Sequence, residues 1–199
     1  MDTVVFDLGK VLLDWDPRYF YRQFFSEPHA LEQFLVEALP LEWVVEMDAG
    51  KPASVAIAER ARLLPHHAAL IERWSEGWPQ MLRGPIPETV EILAELRERG
   101  LRLFALTNFS TETWPLARER FDFLHWFDDA VVSGEHGLVK PDRKIYELAI
   151  RRCALVPERT TFIDDREENV AAARAVGMHA LHFTGAGKLR AELEGLGLL

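Results

Sequence analysis

The sequence predicts an α/β fold in which a parallel sheet is interrupted, after its first strand, by an inserted unit made only of helices. From Leu101 onward, short apolar runs alternate with helical patterns, as in successive βαβ units. Between Asp16 and Leu82, apolar residues instead recur every three or four positions, without a strand pattern. The chain has 199 residues, of which 48% are hydrophobic and 28% charged, so it can bury a full core.

The first strand is predicted at Thr3–Phe6, an uncharged run typical of a strand covered on both faces. Helical periodicity follows in the segments 29–39, 52–64 and 66–82. A further helix begins near Pro87 and ends at Gly100, because proline suits a first helical turn and glycine a left-handed stop. The last four strands are predicted at 102–106, 130–133, 160–163 and 179–183. We therefore predict a core formed by residues 1–15 and 83–199, with residues 16–82 forming a helical cap.

The charge of the chain excludes several classes of partner. With 23 Lys and Arg against 32 Asp and Glu, the net charge is −9, which repels nucleic acid and anionic membrane surfaces. The apolar stretches are far shorter than the ~20 residues of a membrane span. Asp2 and Asp7 stand where a signal peptide would carry basic and apolar residues, so we expect a cytoplasmic protein. No pattern predicts the oligomeric state.

Polar residues follow the predicted strands at the points where the strands end. Asp7 follows the first strand, Thr107-Asn108 the second and Asp164-Asp165 the fourth, while Lys140 precedes the helix after the third. Each is also a common turn or capping residue, but ligands of open parallel sheets bind at this edge. Three clustered carboxylates repel one another unless a cation neutralises them, and Mg²⁺ binds carboxylates together with substrate phosphate. The strand ends therefore indicate a site for a hard divalent ion such as Mg²⁺.

In this order and spacing the residues resemble the four motifs of the haloacid dehalogenase superfamily of hydrolases, over nearly the whole chain. The motifs lie at 4–12, 106–108, 139–142 and 162–165, the last with Asn169. The resemblance implies a Rossmann-like, three-layer core with a parallel sheet and an inserted all-helical cap domain. It is strongest to the phosphatase branch that reads Phe-Asp-Leu-Gly, which includes sugar phosphatases of the glucose-1-phosphatase type.

The resemblance also implies roles for the first and fourth motifs. Asp7 would be the nucleophile that forms an aspartyl-phosphate, and it would also bind Mg²⁺. The backbone carbonyl of Gly9 would be a second metal ligand. Asp165 would bind the metal directly, with Asp164 acting through a metal-bound water or as its neighbour.

The second and third motifs would hold the phosphate. By the same resemblance, Thr107 would donate its hydroxyl and Asn108 its backbone N–H to phosphoryl oxygens. Lys140 would hold Asp7 and the phosphate in place and offset charge in the transition state. Lys10 stands where relatives usually have Gly or Asn, and its ammonium either supplements Lys140 on the phosphate or points to solvent.

One departure from the family pattern concerns the proton donor. Most phosphatases of this superfamily have a second Asp two residues after the nucleophile, which protonates the leaving group, but this chain has Gly9. Either the leaving group needs little help, another residue supplies the proton, or the reaction is not phosphate hydrolysis. Asp14 and Asp16 either cap the next helix or act as the substitute acid.

The function predicted from these residues is a Mg²⁺-dependent phosphomonoester hydrolase acting on a small phosphorylated metabolite, a sugar phosphate being one option. Two alternatives stay open at this point: a dehalogenase-type hydrolase in which Asp7 attacks carbon, and a binding protein that keeps the fold without turnover. The fourth motif favours the phosphatase, because a metal-free dehalogenase has no use for Asp164 and Asp165 together.

Overall fold

A computed structural model describes all residues, 1–199, and contains seven strands. In chain order they are β1 (Thr3–Phe6), β2 (Leu13–Trp15), β3 (Leu82–Pro85), β4 (Arg102–Thr107), β5 (Asp129–Val132), β6 (Thr160–Asp164) and β7 (His179–His182). Five of them form one parallel sheet in the order β5-β4-β1-β6-β7. The sheet places β1 at the centre, so the residues that follow β1, β4 and β6 meet at one edge.

Helices cover both faces of this sheet. The core helices are α7 (Pro87–Glu98), α8 (Trp114–Arg120), α9 (Arg143–Arg152), α10 (Glu167–Ala175) and α11 (Ala186–Gly195). Side chains of α7, α8 and α11 pack with Val4 and Phe6 of β1, whereas those of α9 and α10 pack with Val5. Both faces of β1 are therefore buried, which explains its uninterrupted apolar run, and the predicted three-layer α/β architecture is confirmed.

The inserted segment contains six helices with a core of their own. They are α1 (Arg18–Tyr21), α2 (Pro28–Ala38), α3 (Leu41–Asp48), α4 (Ala53–Leu63), α5 (Ala68–Ile71) and α6 (Trp74–Met81). Aromatic side chains fill the centre of this cluster, where Tyr21 packs against Phe34 and Trp43 against Trp74. None of the helices in the protein is both long and apolar enough to pass through a membrane.

The expectation of helix through to Leu82 is wrong at its end. Leu82 begins β3, which pairs antiparallel with β2 where the chain enters and leaves the helical segment. Two strands of three and four residues are too short to show an alternating pattern. The division of the chain at residues 15 and 83 stays a prediction, and this ribbon lies across both positions.

Candidate active site

Three carboxylates converge at the carboxyl edge of the sheet. Asp7 directly follows β1, Asp164 ends β6 and Asp165 comes next along the chain. One oxygen of each lies within 4.8 Å of the others, so a single ion could contact all three. Asp7 and Asp164 are buried, at 7% and 0% exposure, and Asp165 is half-buried. The convergence predicted from the strand ends is therefore present in the structure.

Lys140 is the cation of this cluster. Its Nζ lies 2.8 Å from Asp7 Oδ1 and 2.7 Å from Asp164 Oδ2, and the residue is only 3% exposed. Burial opposes the charged ammonium, but the two carboxylates outweigh burial, and the net effect raises the pKa of Lys140. Lys140 therefore carries its charge throughout the neutral range and holds both carboxylates in fixed positions.

Asp7 combines burial with a fixed orientation. Its Oδ1 accepts a hydrogen bond of 2.7 Å from the backbone N–H of Leu8 as well as the contact from Lys140. Burial raises the pKa of Asp7 to about 7, with Asp164 and Asp165 adding to the rise and Lys140 opposing it. A bound cation would favour the ionised form that a nucleophile needs.

Asp164 and Asp165 are adjacent but differ in their surroundings. Asp164 Oδ1 accepts hydrogen bonds of 2.9 Å from the Arg166 N–H and from Asn169 Nδ2, so this carboxylate is fully engaged by the protein. Asp165 faces the cavity, and its carboxylate accepts no hydrogen bond from another residue. Burial raises the pKa of Asp165, as does the charge of Asp164, so a bound cation would favour the ionised form of this carboxylate.

The donor set fits a hard divalent cation such as Mg²⁺. All the nearby candidate ligands are oxygens, which is what this ion prefers. The side-chain oxygen of Asn169, Oδ1, is buried at the same site and has no hydrogen-bond partner. A water molecule bound to such a cation would give this buried oxygen the hydrogen-bond partner that the protein does not supply.

Thr107 and Asn108 lie at the end of β4, as the sequence indicates. Thr107 is 1% exposed, and its hydroxyl makes no hydrogen bond within the protein. The Asn108 side chain instead binds the backbone of Lys140 twice, with Nδ2 donating to its carbonyl at 3.0 Å and Oδ1 accepting from its N–H at 2.8 Å. This clamp positions Lys140, a role that the sequence did not indicate because it joins loops 32 residues apart.

Gly9 and Lys10 line the same cavity. A Cβ built on Gly9 would meet nothing within 4 Å, so no packing constraint demands glycine there. Lys10 has a left-handed backbone with φ of 58°, the conformation that Gly and Asn adopt most easily. Its side chain is exposed at the cavity rim, where its charge reaches Asp165 and works against the rise in the pKa of that carboxyl.

Asp14 and Asp16 are engaged away from the cavity. Asp16 Oδ1 accepts a 2.8 Å hydrogen bond from the Arg18 N–H at the start of α1, although the N-cap residue of this helix is Pro17 and not Asp16. Both oxygens of Asp14 lie 2.8 Å from the hydroxyl of Tyr19. Neither aspartate lines the cavity, so neither is placed to protonate a substrate.

The cavity lies between the helical segment and the sheet edge and has a volume of about 320 Å³. Its floor carries Asp7, Lys140 and Asp165, and 12 of its 25 lining residues are hydrophobic. Most of the hydrophobic ones come from the helical segment and its flanking ribbon, including Trp15, Leu41, Val44, Val45, Met47, Trp74 and Trp78. One charged residue of the helical segment also faces this space. It is Asp48 at the end of α3, which the sequence analysis did not single out.

This chain is similar in sequence to known hydrolases. Residues 1–177 match the model of the haloacid dehalogenase-like hydrolase family. A phosphorylated carbohydrates phosphatase of Thermotoga maritima is 26% identical over 188 residues, covering 92% of this chain and 84% of that protein. The sesquiterpene phosphatase astK of Aspergillus oryzae is 34% identical over 100 residues, and a glyceraldehyde 3-phosphate phosphatase of Methanothermobacter thermautotrophicus is 34% identical over 98. The matched stretches cover 50% and 49% of this chain, and 51% and 43% of those two proteins.

Solved structures agree on the fold. A HAD-like hydrolase of Porphyromonas gingivalis superposes with a TM-score of 0.73 at 23% identity, covering 98% of both chains. The HAD family enzyme bt-2542 of Bacteroides thetaiotaomicron, in complex with magnesium and inorganic phosphate, superposes with a TM-score of 0.68 at 19% identity, covering 92% of this chain and 93% of that one. With the family match over 177 of 199 residues, the resemblance found in the sequence is confirmed, and the chain belongs to the haloacid dehalogenase-like hydrolase family.

Proposed function

We propose that this protein is a Mg²⁺-dependent phosphomonoester hydrolase that works through an aspartyl-phosphate on Asp7. The observation that carries the proposal is the convergence of Asp7, Asp164 and Asp165 around one point, with the buried ammonium of Lys140 between two of them. The phosphatase names of the curated relatives support the same reaction. The magnesium and phosphate in the complex of the Bacteroides enzyme support the choice of ion.

The chain's own residues supply the positioning and the electrostatics that phosphoryl transfer needs. A carboxylate oxygen of Asp7 attacks phosphorus, the bond from phosphorus to the ester oxygen breaks, and this oxygen leaves with the electron pair of that bond and takes up a proton to become the alcohol. Lys140 keeps Asp7 in place and offsets the negative charge of the phosphoryl group. The Thr107 hydroxyl, which has no partner in the protein, donates to a phosphoryl oxygen. Water then attacks the phosphorus of the aspartyl-phosphate, which releases inorganic phosphate and restores Asp7.

The metal would be held by Asp7, Asp165 and the backbone carbonyl of Gly9, with Asp164 fixing Lys140 beside them. When bound, Mg²⁺ neutralises the clustered carboxylates and polarises the phosphoryl oxygens. Lys10, at the rim, attracts the phosphate dianion of an incoming substrate.

The substrate is proposed to be a small phosphorylated metabolite whose organic part contacts apolar walls. A sugar phosphate has the support of the Thermotoga relative. The hydrophobic lining from Val44, Met47, Trp74 and Trp78 favours a less polar organic part, such as the one that the name of the Aspergillus relative indicates. Apolar side chains offer no hydrogen-bond partners to the hydroxyl groups of a substrate. These walls therefore suit an organic part with few hydroxyl groups.

Release of phosphate from p-nitrophenyl phosphate, sugar phosphates and isoprenyl phosphates, with Mg²⁺ and with EDTA, tests the proposal. We expect release that needs Mg²⁺ and that Asp7→Asn abolishes, together with a phosphoryl group trapped on the peptide that contains Asp7 after acid quenching. Halide release from a 2-haloacid in EDTA would instead support attack on carbon. Absence of both activities would support a binding protein.

A further inference from the structure

With Gly9 two residues after the nucleophile, the first motif supplies no proton donor for the leaving group. General acid–base catalysis is worth about 10² to 10⁴ in rate, so an ester with a poor leaving group needs another residue to donate the proton. Two cavity carboxylates have no part in the proposed metal site or nucleophile, namely Asp48 and Glu112. Glu112 is exposed and accepts a hydrogen bond of 3.0 Å from the backbone N–H of Ala53. Asp48 is half-buried, and its carboxylate forms neither a salt bridge nor a hydrogen bond.

The backbone around Asp48 is fixed against the core. The buried hydroxyl of Ser133, directly after β5, donates a 2.6 Å hydrogen bond to the Asp48 carbonyl. Gly50 follows with φ of 95°, and a Cβ there would lie 3.0 Å from the carbonyl oxygen of Gly134. Gly134 is itself packed closely, since its own Cβ would lie 2.8 Å from the Phe109 carbonyl oxygen. The end of α3 is therefore held at the same sheet edge as the nucleophile.

The charges around Asp48 leave its carboxyl group able to exchange a proton near neutrality. Burial raises the pKa of Asp48 to about 7, and the positive charge of Lys140 opposes the rise. Lys140 itself is paired with Asp7 and Asp164, so it does not form an ion pair with Asp48. Glu135, on the segment packed against α3, faces Arg152 and His136 instead. The other charged side chains that line the cavity with Asp48 are Asp7, Lys10, Glu112, Lys140, Asp165 and Arg166.

We propose that Asp48 is the general acid and base of this active site, a role that rests on the function proposed above. In the first step Asp7 forms its bond to phosphorus, the bond from phosphorus to the ester oxygen breaks, and the Asp48 carboxyl gives its proton to that oxygen. In the second step the Asp48 carboxylate takes a proton from the water that attacks the aspartyl-phosphate. Inorganic phosphate leaves, Asp7 is a free carboxylate again and Asp48 is protonated for the next cycle.

The test compares two esters of similar shape in wild type and in Asp48→Asn, with Mg²⁺ present. Phenyl phosphate has a poor leaving group that needs a proton, whereas p-nitrophenol is a much stronger acid and leaves without one. We expect kcat/KM for phenyl phosphate to fall about 10²-fold or more, and kcat/KM for p-nitrophenyl phosphate to fall less than about tenfold. The value of kcat/KM reflects only the steps up to departure of the alcohol. The base acts in the later hydrolysis of the aspartyl-phosphate, so its loss does not change this comparison of the two esters. Loss of the base should appear separately, as a burst of p-nitrophenol followed by slow release of phosphate.

Glu112→Gln is the matched control, since it removes the charge of the other cavity carboxylate that lies outside the metal site and should change kcat/KM for both esters by the same factor. Equal losses for the two esters in Asp48→Asn, or no loss for either, would overturn the assignment of Asp48. Thermal unfolding verifies that the variant is folded, and if it is not, the same comparison is made with Asp48→Ser. A wild type that releases phosphate from neither ester would refute the proposed function itself, whereas an active wild type with equal losses refutes only the role of Asp48.

Discussion

Replacing Asp48 by Asn is expected to stabilise the protein by an amount that grows with pH. The Asp48 carboxylate is half-buried and has no hydrogen-bonding partner, and burial raises its pKa from an ordinary 3.8 to about 7. Each tenfold change in a protonation equilibrium is worth about 1.4 kcal/mol, so the ionised carboxylate costs the folded state up to about 4 kcal/mol. Water reaches this half-buried side chain through the cavity, so we expect about 2 to 4 kcal/mol.

The sign follows from which state binds the proton more tightly. Between the unfolded pKa near 3.8 and the folded pKa near 7, the folded state holds the proton on Asp48 and the unfolded state releases it. The wild type therefore loses stability as the pH rises through this window, whereas Asn has no proton to lose. The free energy of unfolding of the two proteins should be equal at or below about pH 4 and should differ most above about pH 7.

The measurement is urea unfolding in EDTA across this pH range, for wild type, Asp48→Asn and the control Asp122→Asn. Asp122 lies exposed on the surface and its side chain makes no hydrogen bond, so this control removes one negative charge without removing a buried one. Titration of Asp7 is common to all three proteins and cancels in the differences. A difference between wild type and Asp48→Asn that does not change with pH, or that favours the wild type above pH 7, would refute the reasoning.

Three further changes test the contacts around Lys140 and Asp48. Lys140→Met leaves two buried carboxylates without their cation, so unfolding in EDTA at neutral pH should need about 3 to 5 kcal/mol less, and the loss should shrink as the pH falls below about 7 and Asp7 takes up a proton. Asn108→Ala removes both hydrogen bonds to the Lys140 backbone; we expect a loss of about 1 to 3 kcal/mol in urea unfolding and a lower kcat at little changed KM. Ser133→Ala frees the end of α3, so kcat/KM for phenyl phosphate should fall by a larger factor than kcat/KM for p-nitrophenyl phosphate.

The core of the fold could be predicted because its strands are buried on both faces. β1 has the predicted bounds, Thr3–Phe6, since all four residues are apolar or buried and Asp7 ends the run. α7 begins at the predicted Pro87, and Gly100 has the left-handed φ of 78° expected of a helix stop. β5 was predicted one residue late, because Asp129 is polar and its place in the strand is decided by pairing with Phe104 on β4. The two-stranded ribbon was missed because pairing between distant segments leaves no local pattern.

The residues of the candidate site likewise divide into those that the sequence indicates and those that only the fold reveals. Asp7, the paired aspartates and Lys140 stand in the family motifs, beside or just after strand ends, so the sequence pointed to these residues. Asp48 has neither signal, since it stands in Met47-Asp48-Ala49-Gly50 at the end of a helix, where an aspartate is unremarkable. Only the folded chain brings it to the cavity, through a contact with Ser133, which is 85 residues away in sequence. A local hint exists in Gly50, whose left-handed backbone allows the close approach to Gly134.

A proton donor on the helical segment would make the chemistry depend on closure of that segment, whereas a donor in the loop after β1 would not. An acid at the position of Gly9 would stay beside Asp7 whatever the helical segment did, whereas Asp48 stays in the cavity only while α3 lies against the residues after β5. An ester bound with the helical segment displaced would meet the nucleophile without an acid, so a poor leaving group would stay in place. Reaction would begin only when the apolar walls had closed over the organic part and excluded water. The substrate's own fit to those walls would therefore govern the rate of phosphoryl transfer.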